Sequence, residues 1–402
     1  MPHDGNMHIG ARIAEQRKLA HLTQRGLADR AHVSHSLLTK VEAGKRPASP
    51  ALIAACARAL GIEASVLAGQ PYADVQRTER FDAPLAALRA SMENWDLQLD
   101  TGTPPRPLDE LATEVRKLGE KRRRANYLAV ATDAPGLIDE LVETSTEHEG
   151  GQRERAHRLL AYVYRCVHDV AYGLGHVDLS RSVLFRMQYS AERSGDPYMV
   201  ILTSYLRGQS CFNTGRHEVG LRLMERALTD VEEDARRGQR SALCVQGNLR
   251  LRAAMLAARS NAGPEARAQW EEAWEIAGRL GGDTENYVMS FGPSNTLIHS
   301  VALEVELGEF GQAIKASRGV HLPETFAEKF PDRVGHHYID LARAQLETGQ
   351  RQAAFASLQR ARKVAPQQTR FHPSVKETVT SLVRAERDSR DSVTGFARWM
   401  GV

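Results

Sequence analysis

Thr23 and Ser34 are the residues that most restrict how this chain can fold, because each stands directly before a short helix-forming stretch. Their hydroxyls can accept the orphan N–H groups of a first turn, so Thr23 caps a helix from Gln24 to Ala31 and Ser34 caps one from Ser36 to Ala43. Three residues, Ala31-His32-Val33, therefore separate the two short helices. Leu27, Ala28, Val33, Leu38 and Val41 form the inward set, and the small Ala28 allows close approach. Gly44 ends the second helix, and Ser49-Pro50 opens the next as cap and first helical residue.

With Arg17, Leu22-Thr23-Gln24, Leu27-Ala28, Val33-Ser34, Val41 to Pro47 and Ala59-Leu60-Gly61, the stretch from 8 to 68 resembles the Cro and phage-repressor (XRE) family. The resemblance implies a five-helix helix-turn-helix domain that binds double-stranded DNA. Two positions depart from the family pattern. Gly26 sits inside a helix, at a cost of about 1 kcal/mol against Ala, and His32 stands where the family has Gly, a substitution His tolerates in a left-handed turn. In such motifs the second helix enters the major groove, which puts forward His35, Ser36, Thr39 and Lys40 as base readers. Gln24, Ser34, Lys45 and Arg46 are expected on phosphates. The family positions of Arg17 and Glu42 imply a structural ion pair.

Composition places the nucleic-acid surface in the same region. Residues 1–70 hold nine Lys/Arg against five acids, a balance of +4, so a chain of +3 overall leaves −1 for the remainder. The four cysteines are scattered with no C-x-x-C pair, which speaks for a reducing compartment and small core residues rather than structural zinc. With no signal-like segment and no apolar run of about twenty residues, the expected setting is the bacterial cytoplasm, with no membrane partner. Nucleotide-binding, zinc-protease and hydrolase motifs are missing, so neither an enzyme nor a cofactor is expected.

Beyond residue 70 the chain alternates helical periods with breaks, so the predicted layout is 1–70 DNA-binding, 71–83 linker, 84–152 helical connector, 153–366 repeats and 367–402 capping helices. Within the connector, Leu108 to Leu128 reads as one helix, and its basic run Lys117 to Arg124 as a solvated face. The repeats follow a period near 34 residues: Tyr338, Leu341, Ala342 and Gln345 on a first helix, a turn at Gly349, then Ala354, Leu358 and Ala361 on a second. This resembles a tetratricopeptide repeat and predicts an all-α chain whose body is a right-handed α-solenoid.

First helices of such hairpins line a concave face. The inward positions are then Tyr205, Gln209 and Phe212; Asn248 and Met255; Asn295, Ile298 and Ala302; His336, Ile339 and Arg343. Tyr205, Gln209, Asn248, Asn295 and Arg343 are the candidate effector contacts, and Phe291-Gly-Pro-Ser-Asn295 is expected to break a helix and aim N–H groups at the groove. The layout is similar to peptide-pheromone-sensing (RRNPP-type) quorum-sensing and actinobacterial regulators. That similarity implies a homodimeric transcription regulator on an inverted-repeat operator, answering a peptide or small-molecule effector. The competing expectation is a DNA-tethered adaptor that binds a partner protein.

Overall fold

The computed structural model describes residues 8–46, 48–62, 66–67, 75–95, 104–385 and 392–401. Four helices form the first domain: α1 (Ile9–Leu19), α2 (Gln24–Ala31), α3 (His35–Glu42) and α4 (Pro50–Leu60). The local chemistry does what the sequence predicts. Thr23 Oγ1 accepts from the Gly26 N–H at 3.0 Å, Ser34 Oγ from Leu37 at 3.2 Å and Ser49 Oγ from Leu52 at 3.1 Å. His32 takes the left-handed conformation, φ 54°. Ile13, Leu27, Leu38, Val41, Leu52, Cys56 and Leu67 close a small apolar core. The expected fifth helix falls on a stretch described only at 66–67.

The body is a series of helical hairpins. After α5 (Val75–Glu93), α6 (Leu108–Arg123) and α7 (Tyr127–Glu147), the pairs are α8 (Gly150–Gly173) with α9 (Val177–Arg193), α10 (Pro197–Thr214) with α11 (His217–Arg236) and α12 (Arg240–Arg259) with α13 (Gly263–Leu280). A two-stranded antiparallel hairpin follows, β1 (Thr284–Asn286) and β2 (Met289–Phe291), the only strands among the described residues. Then come α14 (Pro293–Leu307) with α15 (Phe310–Ser317), the short α16 (Glu324–Lys329), and α17 (Pro331–Glu347) with α18 (Arg351–Val364). The chain ends in α19 (Pro366–Phe371), α20 (Pro373–Ala385) and α21 (Ser392–Met400). The last two share an apolar cluster with α17 and α18 through Val375, Val379, Phe396 and Met400.

Small residues sit where helices cross. A Cβ on Gly208 would lie 2.7 Å from Met224 Cε, and one on Gly247 would lie 1.9 Å from the Phe291 ring. The flexible end of Met224 can give way, but the buried Phe291 ring of β2 cannot, so it is the α12 contact at Gly247 that requires glycine.

Three segments differ from their sequence reading. The expected linker 71–83 is helical from Val75, and Pro84 lies inside α5 rather than ending a connector. Leu108 to Leu128 is not one helix: Ala125 adopts φ 50° and Asn126 caps a new helix, its Oδ1 accepting from the Ala129 N–H at 3.2 Å. Residues 84–152 also share one apolar core with the hairpins, running from Phe81 through Leu118, Ile138 and Leu202 to Phe291.

The first domain rests on this body. The Ala48 N–H donates to Glu377 Oε1 at 2.9 Å, and Arg58 Nη1 donates to the Gly215 carbonyl at 3.2 Å.

Candidate nucleic-acid interface and effector cavity

In the first domain, Ser34, His35, Ser36, Lys40, Lys45 and Arg46 are exposed and Thr39 is half-buried; Arg46 also lies near enough to Glu347 of α17 to act on its carboxyl. Of these, His35, Ser36, Thr39 and Lys40 follow the helical i, i+4 spacing of α3, so they share a face. Behind them Arg17 Nε and Nη2 clamp Glu42 at 2.7 and 2.9 Å, and Arg17 Nη1 donates to the Leu22 carbonyl at 2.7 Å. This bidentate pair locks α1 to α3 and sets the angle at which α3 is presented. Gln24 Nε2 donates to Glu42 at 2.8 Å, and Thr39 Oγ1 to Gln24 Oε1 at 3.4 Å. The Gln24 amide is thus engaged inside the domain, and a phosphate contact requires it to exchange partners.

The other side of the domain closes a cavity of about 400 Å3, to which Ile9, Ile53 and Ala54 contribute. Four first helices line it in register. Tyr205 and Phe212 on α10, Arg252 and Arg259 on α12, His299 and Glu306 on α14, and Arg333 and Asp340 on α17 are each seven residues apart. Seven residues are two helical turns, about 10 Å. Side chains so spaced stack above one another, so the cavity is a well with a floor and a rim.

Arginines dominate the floor. Arg252 Nη2 donates to the Tyr205 hydroxyl at 2.8 Å, with its guanidinium 4.6 Å from the ring centroid. Arg165 from α8 pairs with Asp169, which also takes Arg122 at 2.7 Å, and Arg122 lies 3.5 Å from Asp332. Burial acts to raise the Tyr205 phenol, yet Arg252, Arg333 and Arg165 outweigh it and hold the group below its ordinary value. Burial and nearby arginines keep His299 uncharged at about 4, and His336 well below its usual range.

At the rim, Arg259 pairs with Glu306 at 2.8 Å and lies 3.5 Å over the Phe212 ring. Burial first, then Glu306, pushes Asp340 up to about 7; burial likewise lifts Glu377 to about 7, beside the N-terminal domain.

Of the candidate effector contacts, Tyr205, Gln209 and Arg343 line the well, as do the other inward positions Phe212, Met255, Ile298, Ala302 and His336. Asn248, Asn295 and Ile339 do not; all three are buried. Asn248 Nδ2 donates to the Cys244 carbonyl and Asn295 Nδ2 to the Ser290 carbonyl, each at 2.9 Å, so both amides serve local backbone rather than an open groove. The Phe291 to Asn295 segment does not break a helix before Asn295: Phe291 ends β2, Gly292 turns the chain, and Pro293 to Asn295 form the first turn of α14. Its Ser294 N–H is taken by Asp283 Oδ1 at 3.0 Å, and Phe291 is fully buried against α12.

Sequence reasoning missed Arg122, which sits 93% buried although its basic run reads as a solvated face. It also missed Arg165, Arg252, Arg259, Glu306 and Arg333. The seven-residue spacing repeated from helix to helix was the available signal. Among the described residues no group of three or more His, Cys, Asp or Glu could hold a metal ion, and no helix is long and apolar enough to cross a membrane.

Residues 8–68 match the family described as helix-turn-helix domain, and the caps, the left-handed His32 and the Arg17–Glu42 clamp fit that assignment. The N-terminal domain belongs to this family, in its XRE-like form. No curated protein matches the chain. Among solved structures it is similar to Bacillus thuringiensis PlcR in complex with the peptide PapR7 and DNA, at 17% identity over 68% of this chain and 95% of that one. The TM-score is 0.30, a likeness too loose to transfer any detail.

Proposed function

We propose that this protein is a sequence-specific DNA-binding transcription regulator whose helical body senses an effector and dimerises. The observation that carries the reading is the two-sidedness of the first domain. One face presents His35, Ser36 and Lys40 to solvent, and the opposite face, through Ile53 and Ala54, closes the well. A ligand in the well touches the surface on which the DNA-binding domain rests, so occupancy biases how that domain is held. Thr39 reads bases with its neighbours, while Ser34, Gln24, Lys45 and Arg46 neutralise phosphate. One α3 reads only a few base pairs, so two copies on an inverted repeat about 34 Å apart supply the specificity.

Selection from a random-sequence duplex pool with the full chain tests this. The expected product is an inverted repeat with half-sites one helical turn apart, bound by a dimer in light scattering. Absence of any enriched sequence contradicts the reading.

A further inference from the structure

The regulator reading leaves the chemistry of the effector open, and the following rests on that reading. At the floor, four guanidinium groups, Arg122, Arg165, Arg252 and Arg333, face two carboxylates, Asp169 and Asp332. That is an excess of positive charge among mostly buried groups. Arg165 is 97% buried, and its Nε and that of Arg252 are buried donors with no acceptor. Buried donors are normally satisfied, and the exceptions call for a missing partner. The depressed Tyr205 phenol reports the same local potential. Above the floor, Gln209, Met255 and Ala302 form a tier without formal charge.

We propose that the well binds a small molecule carrying a carboxylate or phosphate group, seated on Arg165, Arg252 and Arg333, with its uncharged part in the tier below the N-terminal domain. A fork of guanidinium donors suits both anions, which accept two parallel hydrogen bonds. The volume lies at the lower end of small-molecule sites. Closure by Ile9, Ile53 and Ala54 leaves the ligand in reach of the DNA-binding domain.

The test is calorimetric titration of the full chain with inorganic phosphate and, separately, with succinate, against chloride at matched ionic strength. At least one binds with a Kd of about 10 mM or tighter, and Arg252→Gln and Arg333→Gln each weaken it about tenfold. Lys315→Gln, on the exposed face of α15, does not. Preference for phosphate over succinate, or the reverse, assigns the anion. Should Arg252→Gln fail to fold, Arg333→Gln carries the comparison, because its side chain is 22% exposed. Neither anion binding, or binding indifferent to both substitutions, overturns the site. Operator titrations run in parallel separate the two ideas. Anion binding that leaves DNA affinity unchanged keeps the site and removes its effector role. A peptide that shifts DNA affinity while no anion binds removes the site and keeps the regulator.

Discussion

The N-terminal domain holds a closed buried cluster, Arg17 and Glu42 with Gln24, in which the clamping donors and the carboxylate are matched. The body instead buries histidines, arginines and carboxylates around a cavity, with polar atoms of Arg165, His372 and Gln368 left unpartnered. A closed pair fixes a shape, here the angle of α3. An unclosed set costs stability and is the pattern of a place built to meet something else. The two regions should therefore respond differently to pH, to substitution and to ligands.

The largest difference is expected in acid. Burial holds His157, His217, His299, His337 and His372 at about 4, and all lie in the body. A histidine whose folded value is depressed contributes stability above its ordinary 6.5 that is lost as pH falls through that value toward 4. Asp340 and Glu377, raised to about 7, act oppositely, their contribution fading as pH rises through 7. The histidines outnumber them, so thermal melts followed from pH 7 to pH 4.5 should show the body losing stability steeply. The isolated domain, which contains none of these seven groups, should change far less. Equal sensitivity of the two would erase the contrast.

Next in size is Glu42→Ala, which leaves Arg17 buried without its partner and should cost about 3–5 kcal/mol. In chemical denaturation of the full chain only the transition of the N-terminal domain should move. A matching loss in the body would show that the two unfold as one unit. Gly247→Ala is the reciprocal experiment, since its Cβ meets the fully buried Phe291 ring. Overpacking there should cost about 3 kcal/mol, the upper end of the usual range, and leave DNA affinity per folded molecule intact. Smaller still, Lys40→Ala should lose about 1–3 kcal/mol at one or two base pairs, whereas Lys45→Ala weakens every sequence alike. Parallel losses across a panel of base-substituted sites would remove Lys40 from the reading face.

How much of this was legible in the sequence follows the range of the forces involved. Thr23, Ser34 and Ser49 cap helices through bonds to residues three along, so their role is written locally. The inward stripe of Tyr205, Gln209 and Phe212 was legible because helical period alone sets which face a residue occupies. Asn248 and Asn295 share that period and yet turn inward to backbone, because the β hairpin packs against α12; Cys244 Sγ donates to the Met289 carbonyl at 3.5 Å. Nothing near Asn248 in sequence announces that neighbour. Arg122 was hidden for the same reason. Its burial depends on Asp169 and Asp332, contributed by α8 and α17, and a run of basic residues cannot show which member meets distant carboxylates.

Hydrogen exchange of the full chain, with and without a selected duplex, tests most directly whether the outer face of the first domain reads DNA while its inner face closes the well. Protection on DNA binding should appear at residues 34–46, accompanied by a change at 53–58 and around Gly215, where Arg58 reaches the body. Protection confined to the body, for instance along the basic stretch from Lys117 to Arg124, with α3 unchanged, would contradict the account.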